Sequence, residues 1–386
     1  YWANKGYGKF SAKIAMTNAP RFDHPDNFNP LYITLADISG TGAADILYLG
    51  KNNCTAWINL AGNAWSLPYY IHPLPSVEPY SKIGVMDFLG NGTGCIVWSS
   101  PLPQHAHAPL RYIDLMGGKK PHLLKSYKNG MGKMTELCYK SSTQFYLQDK
   151  QAATPWATRL PFPVHCLSRI VTTDAVSETS YTQVYRYHHG YYDHEEREFR
   201  GFGMVEVKDI ESAKFYYEDE NDSELDQPEV LTKTWYHTGA WMRERTLLDA
   251  FGNEYYELGS AVPQTPSSDI LSLPPGLTPQ QQREAHRAVK GLPLRQEVYA
   301  LDGELEEHPY TVTSYAYRVN LLQSRAINRY AVFYAYREQA ISYHCERYLT
   351  DSPAPVLDPR IAQELTLAVD EYGNVTDAAQ VVYPRI

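Results

Sequence analysis

Hydrophobic and polar residues alternate along much of this chain with the period of two that is typical of half-buried β-strands. In the segment 181–187 the alternation places Tyr181, Tyr185 and Tyr187 on one face. Comparable strand candidates are 110–116, 122–127, 135–139, 310–319 and 330–336. Pairs such as Gly117-Gly118, Asp302-Gly303 and Gly373-Asn374 lie between or beside them and favour turns. The pattern predicts a mainly β protein.

The first hundred residues contain a repeat with a period of 50. Asp37–Asp45, followed by Ile-Leu-Tyr, matches Asp87–Cys95, followed by Ile-Val-Trp. A second element also recurs, since Trp2-Ala-Asn4 resembles Trp57-Ile-Asn59. Strand–turn–strand repeats of this period indicate β-propeller blades. We therefore predict that residues 1–105 are the C-terminal blades of a propeller, with further blades before Tyr1.

One short helix is predicted in the second part of the chain, within a loop and helix at 259–291. Thr278 is a candidate N-cap, Pro279 follows at the first helical position, Gln281 completes a capping box, and Gly291 ends the helix. Its few apolar residues predict a helix on the surface of a sheet. The acidic loop at 211–229, most acidic from Tyr217 onward, is interpreted as a solvated excursion.

A second, weaker repeat links Leu248–Asn253 with Val369–Asn374. In both copies an Asp precedes an aromatic residue and a Gly-Asn pair. Gly-Asn adopts positive φ easily, and Asp accepts bonds from nearby backbone N–H groups. We therefore predict a hairpin unit that is used more than once.

Composition narrows the function. A formal net charge of −9 argues against a nucleic-acid binder or an anionic-membrane binder. The 32 tyrosines against 11 phenylalanines favour strands. The cysteines lack a CxxC pair and are interpreted as small buried hydrophobic residues rather than as disulfides or zinc ligands; they are Cys54, Cys95, Cys138, Cys166 and Cys345.

The Asp37 loop resembles the calcium-binding hairpin of integrin-type, or FG-GAP, propeller blades. The resemblance implies ligands at Asp37, Ser39, Thr41 and Asp45. Calcium prefers several carboxylates, and hydroxyls replace two of them here, so we expect a weak or lost site. We prefer a turn held by Asp side chains and glycines. In the Asp87 loop, Leu89 and Cys95 occupy ligand positions.

The densest group of reactive side chains is 188–196, which contains His188, His189, Asp193, His194 and Glu196. Neighbours on a strand point to opposite faces, so His188 and His189 are not expected to share a metal. The zinc-protease pattern HExxH is absent. We prefer a polar hairpin in which arginines at 197 and 200 pair with the acids.

Several segments together resemble one family, the B component of insecticidal toxin complexes (Tc toxins), which is related to the Salmonella plasmid virulence family. The resemblance is to its middle region and covers nearly the whole chain. The block 187–203, Tyr-His-His-Gly-Tyr-Tyr-Asp through Gly-Phe-Gly, carries the most specific part. The other segments are 18–23, 35–40, 97–103, 110–118, 158–165 and 294–303.

The resemblance implies a fold and partners. Residues 1–105 would be propeller blades, and residues 106–386 would be antiparallel Rhs-type β-sheet from a hollow shell around a toxic effector. The implied partners are the C component, which carries the effector, and the pentameric A component, on which the propeller docks as a gate. The implied protein is secreted and non-catalytic, has no cofactor, and does not itself insert into membranes.

Two alternatives remain. A hydrolase on a β-scaffold would use His188, Asp193 or Glu196. A calcium-dependent adhesion or carbohydrate-binding propeller would need a full set of blades and working calcium loops.

Overall fold

The computed structural model describes residues 1–384 apart from short gaps; the residues left out are 51–53, 73–76, 79, 178, 213–227, 243, 260–261, 263–269, 304, 346–358 and 385–386. Most of the predicted acidic loop 211–229 and much of the Ser/Pro-rich loop after residue 259 lie outside the described residues. The chain divides into two compact units. Unit 1 is Tyr1–Leu124 with Phe162–His165, and unit 2 is Lys125–Pro161 with Cys166–Ile386.

Unit 1 is built from short antiparallel strands. Its strands are β1 (Asn4–Gly6), β2 (Lys9–Phe10), β3 (Ile33–Ala36), β4 (Asp45–Leu49), β5 (Cys54–Trp57), β6 (Asn59–Leu60), β7 (Ala64–Trp65), β8 (Tyr69–Ile71), β9 (Lys82–Met86), β10 (Cys95–Ser99) and β11 (Leu110–Asp114). Two sheets form its body, one in the order β3-β4-β5-β8 and one in the order β11-β10-β9. Leu47, Cys54, Ala56 and Ile96 are buried in its core because alternate positions of the central strands point inward.

The sequence repeat of unit 1 corresponds to repeated hairpins. The Asp37 loop joins β3 to β4, where Ala36 pairs with Asp45. The Asp87 loop joins β9 to β10 in the same way, since Met86 pairs with Cys95. The tryptophan-led element is also repeated as a two-stranded hairpin, β1–β2 and β6–β7. The prediction of repeated strand–turn–strand units is confirmed.

Unit 2 is dominated by one antiparallel sheet. Its strands are β12 (Ser126–Lys128), β13 (Lys133–Ser141), β14 (His165–Asp174), β15 (Thr179–Asp193), β16 (Glu198–Ser212), β17 (Glu229–Tyr236), β18 (Leu271–Ser272), β19 (Pro293–Leu301), β20 (Thr311–Gln323), β21 (Val332–His344), β22 (Arg360–Val369) and β23 (Val375–Val382). The strand order follows the chain order from β12 to β23, and the short β18 pairs in parallel with β20 outside that path. The mainly β prediction is confirmed.

The described residues contain three α-helices, so the prediction of one short helix was wrong. They are α1 (Ser142–Gln151), α2 (Glu244–Gly252) and α3 (Pro279–Ala288). Helix α3 is the predicted one, with Thr278 and Gln281 in a complete capping box. It lies on the sheet as predicted, because Ala285 and Val289 pack with Tyr317 and Val319.

The hairpin prediction holds for only one copy of the second repeat. Val369–Asn374 turns between β22 and β23, and Gly373 has φ 86°. Leu248–Asn253 instead ends helix α2, where Leu247 and Phe251 are buried four residues apart. That spacing belongs to an amphipathic helix, and it overrides the turn preference of Gly-Asn.

Two smaller predictions also need correction. The strand expected at 122–127 begins only at Ser126, because His122 has φ 61°, which an extended strand cannot contain. Cys138 is exposed on β13, whereas the other four cysteines are buried as predicted. None of the helices in the described ranges has the length and apolar character that crossing a bilayer requires.

Candidate functional site

The two adjacent histidines of β15 lie in separate polar clusters. Nδ1 of His188 is 2.7 Å from Oδ2 of Asp149, while Nε2 of His189 is 2.8 Å from Oε1 of Glu254. Both imidazole rings are almost completely buried. As the strand alternation predicts, the two rings do not converge on a shared ligand.

Asp149, near the end of α1, is the centre of the first cluster. Its carboxylate accepts hydrogen bonds from Trp156 Nε1 at 2.6 Å and from Arg186 Nη2 at 3.2 Å, besides His188. Its side chain is 2% exposed. On the other side of the imidazole, Nε2 of His188 lies 3.8 Å from Glu206 on β16, an ion-pair distance rather than a hydrogen bond. The buried imidazole of His188 therefore lies between two carboxylates.

The charges of this cluster stabilise one another. Burial by itself would lower the pKa of His188, but Asp149 and Glu206 outweigh burial and raise that pKa to about 9. Burial would likewise raise the pKa of Asp149, but the hydrogen bond and charge of His188 hold it below its usual value. The pKa of Glu206 is lowered against burial by His188, with Lys233 and Arg186 contributing. Near neutral pH the cluster is fully ionised.

The second cluster joins α2 to the sheet. Glu254 follows α2 and accepts hydrogen bonds from His189 and, at 3.0 Å, from Nε1 of the buried Trp235 on β17. Burial would raise the pKa of Glu254, but His189 and Trp235 lower it. Nδ1 of His189 accepts from the backbone N–H of Ala157 at 3.0 Å, so this imidazole also holds the segment after α1.

The turn between β15 and β16 is held against α3 by ion pairs. Asp193 accepts from the backbone N–H groups of Glu195 and Glu196, and it pairs with the fully buried guanidinium of Arg200 at 3.1 Å. Glu196 pairs with Arg287 of α3 at 2.9 Å. The predicted pairing of acids by Arg200 is confirmed, whereas Arg197 has no ion pair among the described residues. Arg283 and Arg287 of α3, together with Lys290 just beyond the end of the helix, pair with Glu195, Glu196 and Glu198 instead.

These contacts determine what the site can do chemically. His188, Asp193 and Glu196 are each held by a different partner, and the structure does not bring them together around a shared substrate position. No group of three or more His, Cys, Asp or Glu side chains in the described ranges is arranged to hold a metal ion. The arrangement fixes helices and turns to the sheet through ion pairs and hydrogen bonds.

The residues of the proposed calcium loop lie on the turn between β3 and β4. Asp37 accepts hydrogen bonds from the N–H groups of Gly40, Thr41 and Gly42. Asp45 is completely buried and accepts from Ile38, Ser39 and Asn59. The hydroxyls of Ser39 and Thr41 are 3.1 Å apart and bond to each other. The two carboxylates that a calcium ion would need therefore already accept hydrogen bonds from backbone N–H groups.

We expect that the loop does not bind calcium at micromolar concentrations, because it contains only two carboxylates and both already accept hydrogen bonds within the turn. Isothermal titration of the purified protein with calcium chloride should give no saturable heat that can be assigned to the loop. The Asp37→Asn variant is the matched control, since it should give the same trace. Micromolar binding in the wild type that is absent from Asp37→Asn would contradict this expectation.

Sequence reasoning missed the partners that give these histidines their role. Asp149 lies 39 residues before His188, and Glu254 lies 65 residues after His189. A further buried pair, Arg295 and Glu297 on β19, was also not singled out; Arg295 Nε is 2.6 Å from Glu297 Oε1. One signal in the sequence is the spacing of four residues between Phe145 and Asp149, which would place both on one face of a helix; the structure buries both.

The comparisons with known proteins place this chain among toxin components. A family profile described as "Insecticide toxin TcdB middle/N-terminal region" matches residues 72–239. A second, described as "Insecticide toxin TcdB middle/C-terminal region", matches residues 284–386. No curated protein matches the chain.

Solved structures match over the full chain. A crystal structure of TcdB2-TccC3 without the hypervariable C-terminal region is 32% identical with a TM-score of 0.81, and the match covers 100% of this chain and 18% of that one. The crystal structure of TcdB2-TccC3-Cdc42 is 31% identical with a TM-score of 0.79, again covering 100% and 18%. The Tc holotoxin pore of Photorhabdus luminescens is 30% identical with a TM-score of 0.79, covering 100% and 17%. The chain thus spans less than a fifth of the solved chains that it matches.

Proposed function

This chain belongs to the TcdB-type insecticide toxins, as part of their middle region, and on that basis we propose that it is a non-catalytic structural part of a secreted toxin complex. Residues 106–386 would form part of an antiparallel, Rhs-type sheet wall around a toxic effector. Residues 1–105 would be the last blades of the propeller that gates the enclosure. The observation that carries this proposal is the match of the entire chain to structures of TcdB2 with TccC3.

The sheet of unit 2 supports a role as a wall. Eleven of its strands follow one another in chain order, and the longest, β15 and β16, have 15 residues each. Every strand inside such a meander is hydrogen-bonded on both sides, so the wall has few free edges through which an enclosed chain could pair or escape. A buried ion pair at Asp149 and hydrogen bonds at Glu254 fix the connecting helices to this sheet.

The architecture of unit 1 supports the proposal that it is the end of a propeller. Its two larger sheets are small and antiparallel, and each contains one copy of the sequence repeat, as expected for consecutive blades. The central axis of a propeller provides a channel that can be opened or closed. The proposed partners follow from the same family membership: a C component that carries the effector, as TccC3 accompanies TcdB2, and a pentameric A component that receives the gate.

A non-catalytic role fits the use of the polar side chains. The hydrolase alternative needs His188, Asp193 or Glu196 to face a substrate, and each of them is engaged in an ion pair or buried hydrogen bond within unit 2. Nucleophile, base and orienting group must lie within mutual hydrogen-bond reach in an acyl-transfer site. These three side chains contact separate partners instead.

The test is co-expression of the full-length protein that contains this chain with its C component. We expect a stable complex in which the C-terminal region of the C component resists added protease, because the wall keeps the protease away from it. The measurement is size-exclusion chromatography followed by proteolysis and mass spectrometry. The Glu364→Ala variant, which removes one exposed ion pair with Arg337 on the sheet, is the matched control and should protect equally well.

Different failures have different meanings. A complex whose C-terminal region is digested as fast as free peptide would contradict enclosure while leaving the partner correct. Absence of any complex, with both proteins folded, would contradict the proposed partner. Turnover of a substrate that is lost in a folded His188→Gln variant would favour the hydrolase alternative.

A further inference from the structure

Helix α1 lies beside strand β15 at the place where the strand changes neighbours. The ladder between β14 and β15 ends at the pair Arg169 and Val184. Beyond Val184, α1 and the segment after it contact β15: Phe145 packs on Tyr187 at 5.5 Å, and Thr158 Oγ1 donates to the carbonyl of Gly190 at 2.8 Å. The α1 segment 142–158 therefore covers part of the strand.

Hydrophobic contact alone holds α1 weakly. Of its ten residues, Phe145 is the one apolar side chain that is fully buried, while Leu147 is exposed. The other buried side chains of the helix are Ser142 and Asp149. A helix that buries one large apolar side chain depends on additional contacts to stay docked. The charged contacts of the helix itself converge on Asp149, while Ala157 and Thr158 add two hydrogen bonds beyond its end.

The charges around His188 come from α1, from the strands β15, β16 and β17, and from the residue Glu254 after α2. Asp149 of α1 and Glu206 of β16 face its two ring nitrogens. Arg186 of β15 pairs with Asp149 and lies 3.9 Å from Glu206, and Lys233 of β17 also lies 3.9 Å from Glu206. Glu254, which pairs with His189, adds a more distant negative charge. Arginine and lysine keep their charges until strongly alkaline pH, so His188 is the cation of this group that titrates first as pH rises.

We propose that the charge on His188 locks α1 onto β15, and that alkaline solution unlocks the segment 142–158 and uncovers this part of the strand. Neutral His188 still donates one hydrogen bond to Asp149, but its attraction for the carboxylates of Asp149 and Glu206 is lost. Two buried carboxylates then share the side chains of Arg186 and Lys233, of which Arg186 is half exposed. This pH-dependent lock is independent of the proposed role as a shell wall, because it requires only contacts within unit 2.

The direction of the pH dependence follows from the folded and unfolded states. The pKa of His188 is raised in the folded protein from 6.5 to about 9, against burial, by Asp149 and Glu206. Its contribution to stability is therefore complete below pH about 6.5 and disappears as pH rises through about 9. The pKa values of Asp149 and Glu206 are lowered in the folded protein, so these carboxylates lose their charge, and the lock its attraction, only at pH values below the usual carboxylate range. At neutral pH the lock is closed.

Limited proteolysis of the whole chain tests the proposal. Subtilisin, with its activity at each pH normalised on an unstructured peptide, reports how often a segment opens. We expect cleavage within 142–158 to become at least about tenfold faster between about pH 7.5 and about pH 10, with a midpoint near pH 9. Mass spectrometry locates the cut, so that local opening is distinguished from unfolding of the chain.

Variants separate the charge from the packing. His188→Gln should show fast cleavage within 142–158 already at neutral pH and no further pH response. His188→Arg keeps a permanent charge and should stay protected at alkaline pH. The matched control is His344→Gln, which replaces an exposed histidine on β21 and should behave as wild type. If neither substitution at His188 folds, the wild-type midpoint decides: a flat profile to about pH 10, or cleavage spread evenly over the chain, overturns the proposal.

Discussion

Replacing Glu297 with alanine should lower the free energy of unfolding by about 3–5 kcal/mol. Glu297 is completely buried on β19 and accepts hydrogen bonds from Arg295 Nε at 2.6 Å, Tyr299 Oη at 2.6 Å and the N–H of Tyr256 at 2.9 Å. Alanine would leave the buried guanidinium of Arg295 without its carboxylate and two further donors without an acceptor. Urea unfolding followed by far-UV circular dichroism measures the loss.

The surface pair of Arg337 and Glu364 provides the matched control. It joins the same residue types across two strands of the same sheet at 2.9 Å, but its side chains are 50% and 54% exposed. Glu364→Ala should therefore cost less than about 1 kcal/mol. Equal costs for Glu297→Ala and Glu364→Ala would show that burial does not decide the contribution of these ion pairs.

The strands and the blade-like repeats could be predicted from sequence because their signals are local. Alternation along 181–187 and the turn at Gly373 depend on neighbouring residues only, and the structure contains both features. The capping box of α3 is equally local, since Thr278 and Gln281 satisfy each other's backbone donors. These features follow from residues that are close together in the sequence.

The second repeat shows where local signals become ambiguous. Asp370 accepts bonds from the N–H groups of Tyr372 and Asn374 and so forms a hairpin turn. In the similar Leu248–Asn253, the backbone carbonyl of Asp249 accepts from the N–H of Asn253, which is a helical contact. The buried spacing of Leu247 and Phe251 decides between the two outcomes. Gly-Asn alone does not.

The candidate site could be located but not explained from sequence. The sequence shows that the group 188–196 is rich in reactive side chains. The partners that hold it are Asp149, Glu254 and Arg287, and these lie on or next to the three helices. Contacts between residues so far apart in the sequence depend on which strand each helix lies against. That placement follows from the sheet topology, which alternation does not specify.

Replacing Gly203 with alanine should lower the free energy of unfolding by about 1–3 kcal/mol through overpacking. A Cβ atom on Gly203 would lie 2.5 Å from Cζ of Phe251 and 3.0 Å from Cβ of His189. Phe251 is buried in the core between α2 and the sheet, so its ring has little room to move. Strand β16 therefore approaches α2 this closely only because residue 203 has no side chain.

A double-mutant cycle with Phe251→Leu tests this explanation, and Gly201 supplies the control. Gly201→Ala should also destabilise, but for a different reason: its φ is 90°, and a Cβ there would meet no atom within 4 Å. Phe251→Leu shortens the side chain that clashes, so it should recover at least about 1 kcal/mol of the Gly203→Ala loss and none of the Gly201→Ala loss. Thermal and urea unfolding of the three single and two double variants gives the coupling energies. Equal coupling of Phe251 to both glycines would contradict steric contact at Gly203, because backbone strain at Gly201 cannot be relieved by a smaller neighbour.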